Sequence, residues 1–192
     1  MRSHDADIFF SSNLLQVARD FIAKNLSPLF ASVHIRAERI LVSGKPIRNI
    51  TAVKTCISNL TARVQTFQRF KNVSTAFSIP VFLATDFAEF ASYSEGRAKI
   101  LSLRKETKSL LSILAPLKPV IFQPSAYNLT DRGAVAIVEM NILASSKHLF
   151  VLGGGSFQRW VVKQFLNKNN NNIEQRSTVE CRSEQCNNLC YY

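Results

Sequence analysis

The sequence predicts an α/β fold, a doubly wound parallel sheet with helices on both faces, on three observations. Short apolar runs alternate four times with longer stretches of helical periodicity. The short runs are apolar almost without interruption, as strands buried on both faces must be. Each is stopped by proline, glycine or a polar residue before the next helical stretch begins.

The elements follow in order. Ser11 and Ser12 can cap a helix in which Leu14, Leu15, Ala18, Phe21 and Ile22 form the apolar stripe. Pro28 ends that region, and Phe30 to Ile35 is the first strand. Gly44 and Pro46 break the chain before a helix from Ile50 to Phe70, whose Val53, Ile57, Leu60, Val64 and Phe67 recur every three or four positions. The second strand is Ile79 to Ala84, ending in Thr85 and Asp86, and a basic helical stretch runs on to Leu114. Lys118 to Phe122 carries the third strand signature, stopped by Pro124. Asp131 can cap a helix from Gly133 to Ser145 that is apolar nearly all round and therefore expected to be buried on more than one face. His148 to Leu152 is the fourth strand, and Gly153 to Ser156 turn the chain into a last helix bearing Phe157, Trp160, Val161 and Phe165. Residues 1–168 are thus expected to form one Rossmann-like domain, and residues 169–192 an asparagine-rich linker with a cysteine-containing tail.

Composition narrows the function classes. With 46% apolar residues the chain can bury a core, and no apolar run approaches the roughly 20 residues that cross a bilayer. Lysine and arginine outnumber acids by 24 to 13, giving +11, which favours an anionic partner. The basic residues are scattered, so nucleic acid is not expected and a diphosphate suits the charge equally well. Cys181, Cys186 and Cys190 crowd the end and suggest a disulfide-anchored tail; with Cys56 they could instead supply four zinc thiolates, although the spacing is not that of a zinc finger or ribbon. Sequons at Asn25, Asn49, Asn59, Asn72 and Asn128 point to a secreted or luminal protein. The opening residues lack the layout of a cleavable signal, and the two observations together lead us to expect a fragment of a longer chain.

Ligands of open parallel sheets lie beyond the carboxyl ends of the strands, so the residues there are the informative ones. Period-two geometry puts His34 and Arg36 on one side at the end of the first strand, where a guanidinium can hold a phosphate through two parallel hydrogen bonds. The plain alternative is that Arg36 pairs with Glu38 at the surface. Gly155 and Ser156 open the last helix, whose backbone amides attract anions, yet the same residues suit an ordinary strand-to-helix turn. Asp86 can bind a ribose or cap a helix, and Phe157 can line a pocket or belong to the core. Asp5-Ala6-Asp7 could hold a divalent ion, but lies at the chain terminus.

These pieces form a resemblance. Ala31 to Glu38, with its His-x-Arg, is similar to the motif that opens the donor domain of fucosyltransferases sharing the protein O-fucosyltransferase and α1,6-fucosyltransferase fold. Val81 to Asp86 resembles their second-strand motif. Val138 to Phe150, followed by glycines and then Ser156-Phe157, resembles a third without a gap. The resemblance covers about residues 11 to 166 and implies the donor half of a GT-B glycosyltransferase: inverting transfer of fucose from GDP-fucose to a protein or glycan hydroxyl, with no metal. It implies that Arg36 binds the β-phosphate and stabilises the leaving diphosphate. By the same resemblance His34, Asp86, Glu139, Gly155, Ser156 and Phe157 line the nucleotide site. Glu139 stands where many members carry aspartate, and three glycines replace more varied residues before the Ser-Phe pair. Family members have a preceding domain that shapes the acceptor cleft, and they work in the endoplasmic reticulum or Golgi lumen. The competing reading is a non-catalytic basic module for polyanions, nucleic acid or sulfated glycan, driven by net charge alone.

Overall fold

The computed structural model describes residues 11–36, 50–72, 79–86, 108–169, 178–180 and 190–191. Helix α1 (Ser12–Asn25) precedes strand β1 (Ala31–Ile35), which is followed by α2 (Ile50–Asn72) and β2 (Val81–Thr85). A short helix α3 (residues 108–114) then runs through a 3-10 turn, Ala115–Leu117, towards Val120. Helix α4 (Arg132–Ala144), strand β3 (His148–Gly154) and helix α5 (Ser156–Asn169) complete the alternation. Two short strands, β4 (Thr178–Glu180) and β5 (Cys190–Tyr191), both pair with β3.

All pairings are parallel, and the spatial order is β2-β1-β3-β4. Val120 adds a single parallel bridge to Phe82 on the outer side of β2. With Val120 counted as the third strand in sequence, the order across the sheet is 3-2-1-4-5, that of the dinucleotide-binding folds. Winding therefore reverses between β1 and β3, and a crevice opens beyond their carboxyl ends.

The expected third strand, 118–122, is thus corrected to one bridged residue. Val120 donates to Val81 O at 2.8 Å and accepts from Leu83 N at 2.9 Å. On the N-terminal side pairing stops because Lys118 is left-handed (φ 46°), a backbone conformation that a strand cannot hold. The fourth strand runs two residues further than expected, through Gly153 and Gly154, so only Gly155 separates it from α5. Residues 178–180 and 190–191, beyond the 168/169 boundary drawn from composition, belong to the pairing of β3.

Alternation along the strands builds two cores. Ala31, Val33 and Ile35 of β1 pack with Val81, Leu83, Phe150 and Leu152 against Val53, Cys56, Ile57, Leu60 and Val64 of α2 and Leu110 and Leu114 of α3. Phe82, Ala84, Leu149 and Val151 face α1, α4 and α5 through Phe21, Val138, Ile142, Val161 and Phe165. Helix α4 is buried without a break from Met140 to Ala144, Asn141 included, in keeping with a sequence that is apolar nearly all round. Asp131 caps it by accepting from Ala134 N at 2.7 Å. Ser11 is the N-cap of α1 through its backbone carbonyl, not its hydroxyl. Cys56 is disulfide-bonded, so it has no thiolate to offer zinc.

Phe82 is fully buried at the centre of the second core and meets Phe21 edge-to-face at 5.7 Å. Replacing it with alanine removes that contact and leaves a cavity, and is expected to cost about 3–5 kcal/mol. Chemical denaturation of Phe82→Ala beside the parent measures the loss.

Candidate functional site

The site begins where β1 and β3 run out together. Their ladder continues one residue past β1, with Arg36 N donating to Leu152 O at 2.9 Å. The next residue of β3 is Gly153, and a Cβ there would lie 2.8 Å from Arg36 Cβ and 3.0 Å from Arg36 O. Gly153 also has φ +120° and Gly155 has φ 102°, a region that side chains other than hydrogen rarely tolerate. The glycines let the two chains stay paired up to the point at which they diverge into α2 and α5.

A pocket of about 240 Å³ opens there, lined by His34, Ile35 and Arg36 from the end of β1 and Thr85 and Asp86 from the end of β2. Ala136 and Glu139, three apart on one face of α4, and Phe157 from the first turn of α5 close it. Of the seven residues expected from sequence, five meet in this pocket: His34, Arg36, Asp86, Glu139 and Phe157. Gly155 and Ser156 adjoin it through Phe157 but do not line it. Ser156 is exposed, and Gly155 supplies the first helical carbonyl, accepting from Arg159 N at 3.1 Å. Phe157 lies in the first turn of α5, so the helix N-terminus, with its oriented amides, stands at the pocket's edge.

His34 is 5% exposed, and its ring lies 5.6 Å from that of Phe157. Burial first, and then the positive charge of Arg36, push its pKa from 6.5 down to about 4. The imidazole is therefore neutral at pH 7, while the guanidinium stays charged. The pocket thus combines a fixed cation, a neutral imidazole, two carboxyl side chains and an aromatic ring. That set can hold an anionic group at one end and accept hydrogen bonds from hydroxyl or N–H donors at the other.

Sequence reading missed Ile35, Thr85 and Ala136, which carry no distinctive chemistry. It also passed over Ser32 and Gln158, both buried, whose side-chain oxygen and amide atoms have no hydrogen-bond partner. Strand period from His34 and helix period from Val161 would have marked them. Asp5, Asp7 and Glu38 lie outside the described residues. Among the described residues no three His, Cys, Asp or Glu side chains group closely enough to hold a metal ion, and no helix is long and apolar enough to cross a membrane.

No protein-family model matches the chain, and no curated protein matches it. Among solved structures, POFUT1 in complex with GDP aligns at 16% identity and a TM-score of 0.43, over 80% of this chain and 44% of that one. POFUT1 in complex with GDP-fucose aligns at 14% identity and a TM-score of 0.38, over 82% and 43%. The chain spans less than half the length of either. At these scores the likeness carries no argument; the α/β assignment rests on the chain's own strand order and layers.

Two outcomes are expected. Gly153→Ala forces a Cβ against Arg36 at a strained φ and should lower stability by about 1–3 kcal/mol, read as a fall in melting temperature. For His34 the folded pKa lies below the unfolded one, so the unfolded chain takes up a proton that the folded chain refuses. Its contribution is complete above pH 6.5 and is lost as pH falls from there towards 4, by about 3 kcal/mol in all. Denaturation midpoints at pH 7 and pH 4.5 should differ less in His34→Phe than in the parent.

Proposed function

We propose that this chain is the donor-binding half of an inverting glycosyltransferase that transfers fucose from GDP-fucose to a protein or glycan hydroxyl. The observation that carries this reading is the convergence of Arg36, His34, Asp86, Glu139 and Phe157 on one pocket at the switch point of the sheet. The His-x-Arg, Val81 to Asp86 and Val138 to Phe157 motifs supply the choice of nucleotide sugar, since the pocket alone speaks only for an anion with hydroxyl and N–H donors.

In this reading Arg36 grips the β-phosphate through paired, charge-assisted hydrogen bonds. The acceptor oxygen bonds to the anomeric carbon from the opposite side as the carbon–oxygen bond to the diphosphate breaks. The bonding pair leaves with the diphosphate, and the fixed guanidinium meets the charge that develops there. The proton of the acceptor hydroxyl passes to a base that we assign to the acceptor-side domain, because this reading commits Asp86 and Glu139, the carboxyl groups of the pocket, to the nucleoside. Glu139 and Asp86 accept from the nucleoside, and Phe157 flanks the base. Gly155 and Ser156 bring the α5 amides to the phosphates. We place the protein in the lumen of the endoplasmic reticulum or Golgi, a reading supported by the exposure of the sequon residues Asn59 and Asn128.

Titration calorimetry with GDP tests the site directly. Binding is expected with and without chelator, and Arg36→Ala should weaken it roughly tenfold to a hundredfold, the worth of hydrogen bonds to a charged group. A folded chain that ignores GDP, yet binds heparin or DNA with a steep dependence on salt, would replace this reading with the polyanion-binding one.

A further inference from the structure

Behind the pocket, the layer between the sheet and helices α1, α4 and α5 holds three polar side chains that carry unpartnered buried atoms among the described residues. Ser32 is 0% exposed, His34 5% and Gln158 1%. Ser32 Oγ, His34 Nδ1 and both amide atoms of Gln158 are sealed from solvent and have no hydrogen-bond partner among the described residues. An apolar residue would fill each place at lower cost, and native proteins leave few buried polar atoms unsatisfied.

Their positions bring them to one region. Ser32 and His34 are two apart on β1, opposite Leu149 and Val151 of β3, which belong to this layer. Gln158 stands one turn before Val161 and two before Phe165, both of which pack into the same layer. Its neighbour Phe157 meets the His34 ring, which ties the start of α5 to the end of β1. A site with that many donors and acceptors satisfies the two to four partners that an internal water requires.

We propose that Gln158 is a positioning residue for His34: with Ser32 it anchors internal water that hydrogen-bonds to Nδ1, holds that nitrogen as an acceptor, and leaves Nε2–H as a donor facing the pocket. An imidazole in the other tautomer would present a lone pair to an anionic ligand and repel it. Gln158 and Ser32 themselves touch no ligand. The role of Nε2–H towards phosphate rests on the nucleotide reading, whereas the tautomer itself does not.

The test is a long-range proton–nitrogen NMR correlation on histidine-labelled protein, without nucleotide, at pH 7. The parent should show His34 as a single tautomer protonated at Nε2. Gln158→Met keeps the volume and removes the amide; it should give mixed tautomers and weaken GDP binding roughly fivefold. Ser32→Ala should move the tautomer signal in the same direction by less, and it decides the matter alone if Gln158→Met does not fold. A proton on Nδ1 in the parent, or an unchanged single tautomer in the folded variants, overturns the proposal. A parent with the Nε2–H tautomer that binds no GDP defeats the nucleotide reading and leaves the positioning role standing.

Discussion

The architecture of the site depends on one close approach of backbone to backbone, that of Gly153 to Arg36. Parallel strands normally separate where their connections leave the sheet, but here Arg36 N still reaches Leu152 O at 2.9 Å. Since a Cβ at 153 would meet Arg36 at 2.8 Å, a strand ending in any larger residue would have to part from β1 earlier. That would swing the Arg36 backbone away from the start of α5, and the cation and the helix amides would no longer face one volume. Strand order supplies the rest: because β1 and β3 are neighbours whose helices leave to opposite faces of the sheet, the gap between those helices is the crevice.

Electrostatics follows from this packing. His34 is buried by the same strand pairing that carries Arg36 outward, and burial together with the adjacent guanidinium keeps the imidazole neutral. The division of labour is then set by depth: the buried ring donates or accepts without charge, and Arg36 carries the charge. Glu139 and Asp86 line the same pocket as this cation, so the protein's overall +11 does not describe the local field. A net charge draws polyanions to a surface, whereas a pocket of mixed sign selects a ligand that is anionic at one end and hydrogen-bonding at the other.

Most of the fold was legible because buried parallel strands have a sequence signature that depends on burial alone. Ala31–Ile35, Val81–Thr85 and His148–Gly154 are apolar runs, and each was found to within a few residues. The third run has the same composition but is a single bridge, and the left-handed Lys118 before it is a backbone feature that composition cannot report. β4 and β5 were missed for the opposite reason. They are three and two residues long, follow an asparagine run, and gain order only from the edge of β3. Site residues could be found where a rule links position to function: His34, Arg36 and Asp86 sit at strand ends, and Glu139 and Phe157 came with the motifs. Gln158 carries no such rule. Its burial emerges only once α5 is seen to lie on the face of the sheet that Ser32 and His34 share.

The edge of β3 also explains why this chain needs its cysteines. A β3 without β4 and β5 would expose backbone groups along a largely apolar strand, an invitation to pair with another chain. Strands of two and three residues add too little contact to hold that edge unaided. Cys56, buried in α2, is disulfide-bonded, and the other cysteines of the sequence are Cys181, Cys186 and Cys190. A crosslink from Cys56 to any of them would close a loop of well over a hundred residues, for which chain entropy alone gives roughly 4–5 kcal/mol. That is of the order of a domain's whole net stability. A contribution of that size would offset the ordering of such short strands, of which β5 pairs with Gly153 and Gly154. Through that pairing a crosslink to the tail would also bear on the glycine segment on which the approach of Arg36 depends.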